Sequence, residues 1–382
     1  MQNDIYQRSL EFHKRNHGKI ETVSKAKISS NEVLSLAYTP GVAEVSREIA
    51  RDPSLAREYT LKRNTIAIVS DGSAILGLGN LGALAAIPVM EGKAALFKEF
   101  AGVDAFPICL DTQDTEEIIK VVKQIAPVFG GINLEDISAP RCFEIESRLR
   151  SELSIPVMHD DQWGAATVIL AGLINSLKLV GKSKEDAKVI INGVGAAGVA
   201  TGRLLISFGV KNIIFCDSQG IIHKDRNDLT KEKQELIENS IAEPSLGSLS
   251  DAIKGTDVFI GLSKPGLLTG EMVKTMAEKP IIFALANPTP EIMPDEAIAA
   301  GAYIVATGRS DFPNQINNSL VFPGAFRGML EQNMPQFRIE MFGAVAIAIA
   351  NFVPDPSPRK ILPTMFEQRV HLVVSETIKV FK

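Results

Sequence analysis

Residues 188–209 read KVIINGVGAAGVATGRLLISFG, and this stretch decides the predicted fold. The β-branched run KVIIN predicts a strand, and AAGVATGRLLISFG predicts the helix after it. Downstream, NIIFCD, DVFIGL, PIIFALAN and YIVATG predict further strands, while LTKEKQELIENSI, LTGEMVKTMAEK and DEAIAAG predict the helices between them. Such alternation is typical of a doubly wound parallel sheet with crossover helices.

The turn between the first strand and helix is a GxGxxG motif made by Gly193, Gly195 and Gly198. At this position the free amides and the dipole of a helix can hold a pyrophosphate. We therefore predict that the turn binds NAD or NADP, with Ala196 and Ala197 inside it. Close helix–strand packing is the alternative, because the motif alone is weakly specific.

The next strand, NIIFCD, ends in Asp217, nineteen residues after Gly198 (217 − 198 = 19). A carboxylate here accepts a hydrogen bond from a ribose 2′-hydroxyl and repels a 2′-phosphate, which favours NAD. Lys224 and Arg226 lie close enough in sequence to compensate for that repulsion. The choice between NAD and NADP therefore stays open.

The first half of the chain predicts a second α/β unit. TIAIVSDG and AFPICLD have the pattern of strands, and TEEIIKVVKQIAPVFG and APRCFEIESRLRSEL that of helices. A long helix in DDQWGAATVILAGLINSLKLVGKS should cross between the halves. We predict an α/β protein of two domains: an N-terminal α/β domain, residues 1–161, and a C-terminal Rossmann-like, doubly wound domain with C-terminal helices, residues 162–382.

A second glycine motif, Gly77 to Gly82, follows TIAIVSDGSAIL. A DG turn interrupts the step from strand to helix, and Pro88 should restrict the helix beyond it. We therefore expect this motif to serve tight backbone packing rather than to bind a cofactor.

Composition excludes several classes of protein. A chain of 382 residues, 45% hydrophobic and 22% charged, fits about two globular domains, and its net charge of −5 offers no general attraction for nucleic acid or anionic lipid. The three cysteines are widely spaced without a CxxC pair, and the N-terminus lacks the apolar core of a signal peptide. The apolar run FGAVAIAIANFV is too short to span a bilayer. We expect a cytoplasmic protein that binds neither nucleic acid nor membrane.

Two acidic doublets, Glu135-Asp136 and Asp160-Asp161, lie in apolar surroundings. Adjacent carboxylates repel, so in a buried place they need a cation, a shared proton or solvent. Hard oxygen ligands suit Mg²⁺ or Mn²⁺. Helix capping by Asp136 and Asp160 on exposed turns is the alternative.

Lys93 and Tyr38 are the candidate proton-transfer groups. Lys93 is the only basic residue between Arg63 and Lys98, so burial could lower its pKa toward that of a general base. An exposed lysine whose stem covers apolar surface is equally compatible with the sequence. Tyr38 precedes a Thr-Pro-Gly turn that would fix its direction, although a core tyrosine fits the same pattern.

Eight blocks then occur in a fixed order between about residues 19 and 327: AYTPGVAEV, VSDGSAILGLGNLG, PVMEGKAALF, NLEDISAP, HDDQWGAA, GVGAAG, ALANPTPEI and NQINNSLVFPGAFRG. With them the chain resembles the small bacterial-type malic enzymes, which oxidise and decarboxylate malate to pyruvate. The resemblance implies oxidation of malate with reduction of NAD(P)⁺, and a homodimer. The amphipathic segment SLEFHKRNHGK near the N-terminus, which would pack poorly on its own, agrees with a dimer.

The resemblance also implies roles for single residues. Tyr38 becomes the acid and Lys93 the base, with Asp160 beside Lys93 to help set its charge. Asn287, in ANPT, and Asn318, in NNS, would face the cofactor and the substrate carboxylate.

The same resemblance makes Glu135, Asp136 and Asp161 the ligands of a divalent metal, Mg²⁺ or Mn²⁺. The family usually has HDDQHGTA where this chain has HDDQWGAA, so Trp163 replaces an imidazole and Ala165 removes a hydroxyl. Two rival functions remain open: a malolactic enzyme that keeps its NAD and releases lactate, and a dinucleotide sensor without chemistry.

Overall fold

The computed structural model describes residues 2–240 and 246–382. Helices of different lengths come before the first strand, where the sequence predicted no more than an amphipathic segment. They are α1 (Gln2–Asn16), α2 (Asn31–Ala37), α3 (Val42–Arg51) and α4 (Ala56–Tyr59). The side chain of Ser30 begins α2 by accepting a hydrogen bond from the Val33 amide at 3.2 Å.

A four-stranded parallel sheet forms the centre of the first half, in the order β2-β1-β3-β4. Its strands are β1 (Thr65–Ser70), β2 (Asp104–Cys109), β3 (Gly131–Leu134) and β4 (Val157–His159). Its helices are α5 (Ala83–Ala101), α6 (Thr115–Ile125) and α7 (Arg141–Glu152). The elements predicted in this half are therefore present, and β3 and β4 add two short buried strands that the sequence analysis did not find.

Helix α5 runs through Pro88, so the expectation that this proline restricts the helix was wrong. Proline removes one amide donor from the helix interior. The buried side chains of Met90 and Phe97 on the same helix are fully enclosed by the core. The packing of these two side chains outweighs the low helix propensity of Pro88.

A six-stranded sheet forms the second half, in the order β10-β9-β8-β5-β6-β7. Its strands are β5 (Lys188–Asn192), β6 (Asn212–Asp217), β7 (Gly220–Ile221), β8 (Val258–Gly261), β9 (Ile281–Ala284) and β10 (Ile304–Thr307). All pairs are parallel except the last, in which β7 runs antiparallel to β6. The strand order reverses beside β5, which is where ligands of open α/β sheets collect.

The helices of this half are α8 (Asp160–Val180), α9 (Ala196–Phe208), α10 (Lys231–Glu238), α11 (Leu249–Ala252), α12 (Gly270–Lys274) and α13 (Pro294–Ala299). Each helix that the sequence predicted in this half is present, but α12 is shorter than the predicted segment LTGEMVKTMAEK. The predicted segment LTKEKQELIENSI extends to Ile241, which lies outside the described residues. The two-domain α/β fold with a Rossmann-like second half is confirmed.

Three more helices close the chain: α14 (Phe322–Gln332), α15 (Ile339–Asn351) and α16 (Val370–Lys379). They pack back on the first half. The ring of Phe97, on α5, lies 4.8 Å from that of Phe322 and 5.6 Å from that of Phe326, centroid to centroid. These contacts join the end of the chain to the helix that carries Lys93.

Helix α8 is the one helix within residues 2–240 and 246–382 that is long and apolar enough to cross a membrane. Of its most apolar window, 72% is buried inside the protein. It is the core helix that connects the two sheets, as the sequence predicted. Burial against both halves accounts for its apolar composition.

Candidate active site

Both acidic doublets follow neighbouring strands of the first sheet. Leu134 and His159 are paired across β3 and β4, so the next residues, Glu135 and Asp160, leave the same edge of the sheet. Asp161 then lies in the first turn of α8. Parallel pairing therefore brings together two doublets that are more than twenty residues apart in the sequence.

Glu135, Asp136 and Asp161 form the tightest acidic cluster. One carboxylate oxygen from each lies within 4.8 Å of the others. The amide of Asp136 donates to Asp161 Oδ2 at 2.8 Å, and Asn133 Nδ2 donates to Glu135 Oε2 at 2.9 Å. These hydrogen bonds hold the carboxylates in place against their mutual repulsion.

Lys93 enters this cluster from α5. Its side chain is 7% exposed, and Nζ lies 2.6 Å from Glu135 Oε2 and hydrogen bonds to Asp160 Oδ2. The ammonium also lies 4.3 Å from the centroid of the Phe322 ring. The lysine is thus buried and paired, which contradicts the reading of an exposed side chain.

The expected direction of the Lys93 pKa was wrong. Burial lowers it, but the nearby carboxylates of Asp160, Glu135 and Asp161 act more strongly together and raise the pKa above its ordinary value. The sequence indicates burial alone, because these three carboxylates come close to the ammonium only in the folded chain.

Burial has the opposite effect on the pKa values of the carboxyl groups. It is the largest influence on each, and it raises the pKa of Glu135 well above its ordinary value, that of Asp136 to about 7 and that of Asp160 to about 6. Repulsion from Asp161 adds to the shift in all three, and the charge of Lys93 opposes it. A cluster that resists ionisation in this way favours a bound cation.

The donor set fits a hard dication. Within the described residues, Asp136 Oδ2 and Asp160 Oδ1 are buried without a hydrogen-bond partner. Neither residue caps a helix, because His159 precedes α8 and Pro140 precedes α7 at the capping positions. The capping alternative therefore does not hold, and three oxygen ligands suit Mg²⁺ or Mn²⁺.

The predicted dinucleotide turn connects β5 to α9. A Cβ atom at Gly198 would lie 1.9 Å from the Gly193 carbonyl oxygen, so the helix packs directly on the turn. At Gly195 a Cβ atom would meet nothing within 4 Å. No side chain caps α9, which leaves the amides of Ala196 and Ala197 available to a phosphate.

Asp217 ends β6, as predicted, but it is already paired. Arg226 donates to both of its carboxylate oxygens, at 2.8 and 2.9 Å, and Lys233 Nζ donates to Oδ2 at 2.7 Å. Burial raises the pKa of Asp217, yet these hydrogen bonds outweigh burial and lower the pKa to about 2. Arg226 was foreseen beside Asp217, whereas Lys233 was missed because its place on α10 depends on how that helix packs.

Asn287 follows β9 and reaches the glycine loop of the first half. A Cβ atom at Gly77 would lie 2.3 Å from the Asn287 carbonyl oxygen, so this glycine permits close backbone contact, as expected. Asn318 lies close to α8 near the start of that helix, since a Cβ atom at Gly164 would lie 3.0 Å from the Asn318 Cβ. Both asparagines therefore lie where the two halves meet.

Tyr38 is not brought to this cluster. It ends α2 and is 67% exposed. Among the described residues it shows no hydrogen bond to Lys93 or to the acidic groups. The alternative of a core tyrosine is also wrong, because the side chain is on the surface.

Trp163 points away from the acidic cluster. Its indole Nε1 donates to Glu146 Oε2 at 3.1 Å, and its ring stacks on Phe342 with centroids 5.0 Å apart. Glu146 was missed by the sequence analysis, and so was Arg141, whose Nη2 lies 2.9 Å from Asp71 Oδ2 beside the DG turn. Both lie on α7. Glu146 is a charged residue within the apolar face of this helix, and that interruption of the pattern could have marked it as a buried, paired carboxylate.

Two family profiles match the chain: "Malic enzyme, N-terminal domain" over residues 17–150 and "Malic enzyme, NAD binding domain" over residues 163–380. The chain belongs to the malic enzyme family. The predicted resemblance is therefore confirmed, over both halves of the chain.

Other malic enzymes are similar along nearly the whole chain. An NAD-dependent malic enzyme of Geobacillus stearothermophilus is 57% identical over 355 residues, 92% of this chain and 74% of that one. A bifunctional malic/malolactic enzyme of Bacillus subtilis is 52% identical over 98% of this chain and 92% of its own. The crystal structure of an NAD-dependent malic enzyme from Thermotoga maritima is 49% identical, with a TM-score of 0.94 over 97% of this chain and 98% of that one.

Proposed function

We propose that this chain catalyses the oxidative decarboxylation of malate to pyruvate and CO₂, with reduction of NAD⁺ or NADP⁺. Membership of the malic enzyme family supports this reaction. One observation supports assigning the reaction to particular residues: the buried Lys93 is paired with Glu135 and Asp160, beside a cluster of carboxylate oxygens. A sensor without chemistry has no need of this costly arrangement of buried charge.

Glu135, Asp136 and Asp161 would hold Mg²⁺ or Mn²⁺, and the turn from Gly193 to Gly198 would hold the pyrophosphate of the dinucleotide. When bound, the dication supplies a Lewis acid for the substrate oxygens and the nicotinamide supplies the hydride acceptor.

Lys93 is the proposed base. With the charge of the carboxylates offset by a bound dication, burial favours the neutral amine, which accepts the proton of the malate C2 hydroxyl as the hydride leaves C2. The C3–C4 bond then breaks and CO₂ leaves. The electron pair of the broken bond forms the enolate of pyruvate. Asp160 stabilises the protonated Lys93 at this stage.

Tyr38 is the proposed acid that protonates C3, and we propose that it acts from a second copy of the chain. Large apolar side chains are exposed along the same N-terminal region: Leu10 by 66%, Val23 by 72% and Leu36 by 70%. A homodimer would cover these side chains. In such a dimer, the exposed Tyr38 of one copy would lie close to Lys93 of the other copy.

A mixing experiment tests this arrangement. Lys93→Ala and Tyr38→Phe are each expected to be inactive alone. If Tyr38 acts across the dimer, random mixing gives hybrid dimers with one intact site, and roughly one quarter of wild-type activity returns. Activity that stays absent after mixing, with hybrids present by native mass spectrometry, would place both groups in one copy.

We propose further that the site accepts both NAD and NADP. The carboxylate of Asp217 would repel a 2′-phosphate, but Arg226 and Lys233 neutralise it and add hydrogen-bond donors. The ribose hydroxyls of NAD would bind in the pocket that Asp217, Ser218 and Gln219 line. Steady-state rates with NAD⁺ and NADP⁺ in parallel test this proposal.

The reaction itself is tested by following NAD(P)H at 340 nm with malate and Mn²⁺, together with pyruvate formation. Lys93→Ala should remove turnover while dinucleotide binding persists. Lys98→Ala is a matched control, because Lys98 lies on the same helix but its side chain is 65% exposed. Wild-type turnover in Lys93→Ala would reject the assigned base.

A malolactic reaction is the second candidate, favoured by the name of the Bacillus subtilis relative. The two outcomes share one site and differ in whether pyruvate is reduced before release. Lactate formed from malate, without accumulation of NADH, would identify this second reaction.

A further inference from the structure

Arg141 is a cation that no step of the proposed reaction uses, and it lies at an unfavourable place for a positive charge. It is the first residue of α7. The positive end of the helix dipole lies there, so electrostatics disfavours a cation at this position. The side chain is nevertheless mostly buried, with 25% of it exposed. Contacts inside the protein must therefore account for its placement.

The guanidinium group of Arg141 contacts the turn that follows β1. Its Nη2 lies 2.9 Å from Asp71 Oδ2, and the same nitrogen donates to Ser73 Oγ at 3.0 Å. Asp71 is 1% exposed, and within the described residues its Oδ2 has no hydrogen bond. The ion pair with Arg141 thus compensates the burial of this carboxylate.

The same guanidinium group also contacts the loops that follow β2 and β3. Nη1 donates to the Gln113 carbonyl oxygen at 2.6 Å, and Nη2 donates to Ser138 Oγ at 3.1 Å. Ser138 lies two residues after Asp136, a proposed metal ligand. One side chain therefore joins three loops at the carboxyl edge of the first sheet.

Further hydrogen bonds connect the turn after β1 to the backbone around Asp136. The Ala74 amide donates to the Asp136 carbonyl oxygen, and the Ser138 amide donates to Ser73 Oγ, each at 2.9 Å. The Ser73 hydroxyl donates in turn to Asp71 Oδ1 at 2.6 Å. Asp136 has a φ of 52°, a conformation that residues other than glycine adopt less readily. These contacts therefore hold it in a backbone conformation that is unfavourable by itself.

We propose that Arg141 is a positioning residue of the metal site, which fixes the carboxylate of Asp136 by joining the loops after β1 and β3. This inference rests on the metal site proposed above. Arg141 acts through Asp136 and not by contact with malate. Residues that orient metal ligands typically change metal affinity by about 10–100-fold when they are replaced.

The sign of the effect separates positioning from a direct effect of charge. Arg141→Gln removes one positive charge and leaves the charge of Asp71 unpaired, and both changes alone would attract a dication more strongly. Loss of positioning has the opposite consequence, because the Asp136 carboxylate is then no longer held beside the other two ligands. We expect Arg141→Gln to weaken Mn²⁺ binding by about tenfold or more.

Electron paramagnetic resonance of free Mn²⁺ measures this affinity in the full chain, without malate or coenzyme. Ser73→Ala tests the same network without a change of charge, and should weaken Mn²⁺ binding by about fivefold through the loss of its hydrogen bonds. Arg148→Gln is the matched control, because Arg148 lies on the same helix but pairs with Glu116. This control should bind Mn²⁺ as the wild type does.

Urea unfolding of the metal-free variants separates a positioning role from a structural one. Lower stability of Arg141→Gln with an unchanged or higher Mn²⁺ affinity would overturn the proposal. Unchanged Mn²⁺ affinity of Ser73→Ala would overturn it too, and this variant decides alone if Arg141→Gln does not fold. Weaker binding in the control as well would show that any lost arginine on α7 has this effect.

Failure of the metal site and failure of this inference give different results. A wild type that binds no Mn²⁺ contradicts the proposed metal site. Hydrogen exchange in the metal-free chain then decides whether Arg141 holds the loop of Asp136. The amides of Ala74 and Ser138 should exchange faster in Arg141→Gln than in the wild type, and equal exchange would overturn the inference.

Discussion

Asp136→Asn should make the protein more stable while it weakens metal binding. Asp136 is 4% exposed, and its pKa is raised from an ordinary value near 3.8 to about 7, chiefly by burial and then by repulsion from Asp161. Its backbone lies at a φ of 52°, a region that asparagine tolerates well. The variant therefore removes a charge without a change of shape or backbone strain.

The magnitude follows from linkage. A carboxyl whose pKa is raised on folding stabilises the folded state fully below the pKa of the unfolded chain, and this stability is lost as pH rises through the folded value. At pH 8 the ionised Asp136 thus costs about 4 kcal/mol relative to a group that stays neutral. Between pH 5.5 and pH 7 the advantage of asparagine should grow by about 2 kcal/mol.

Urea unfolding in the presence of a chelator, at several pH values, measures this difference. Titration with Mn²⁺ should then reverse the order, because the wild type gains stability from a bound ion and Asp136→Asn gains less. A difference in unfolding free energy that does not vary with pH would refute the reasoning. Lower stability of Asp136→Asn at pH 8 would refute it as well.

Three further predictions concern the second half of the chain. Arg226→Gln should lower kcat/KM for NADP⁺ by about tenfold relative to NAD⁺, because Asp217 then repels the 2′-phosphate; Lys231→Gln, on α10 but exposed, is the control in the same steady-state assay. Gly198→Ala should destabilise the protein by about 1–3 kcal/mol in urea, since the added methyl group meets a backbone carbonyl. Trp163→Phe should cost about 1–3 kcal/mol in the same assay, because Glu146 loses a buried donor.

Simple outcomes contradict these three predictions. Equal losses with both coenzymes in Arg226→Gln would remove that residue from discrimination. Gly195→Ala is the control for Gly198→Ala, because a methyl group there meets no atom within 4 Å. Similar stability of the two alanine variants would argue against the close contact. Wild-type stability of Trp163→Phe would show that the indole hydrogen bond contributes little.

The elements that the sequence predicted best are those with strong local signals. The glycine turn from Gly193 to Gly198 depends on residues next to one another, and its strand and helix were found with their ends nearly in place. The acidic doublets were found as candidate metal ligands, but only the pairing of β3 with β4 brings Glu135 beside Asp160.

The features that the sequence did not predict depend on distant packing. Glu146 and Lys233 look like ordinary charged residues of helices until the tertiary fold places them against Trp163 and Asp217. The pKa of Lys93 went in the unexpected direction for the same reason. Burial can be judged from apolar neighbours in the sequence, whereas charges from other strands cannot.

The central claim is that a dication binds to Glu135, Asp136 and Asp161 within reach of Lys93. Anomalous diffraction from crystals grown with Mn²⁺ tests it most directly. The account predicts one strong manganese peak between these three carboxylates, and a weaker peak in Asp136→Asn. A peak at another place, or no peak at saturating Mn²⁺, would contradict it.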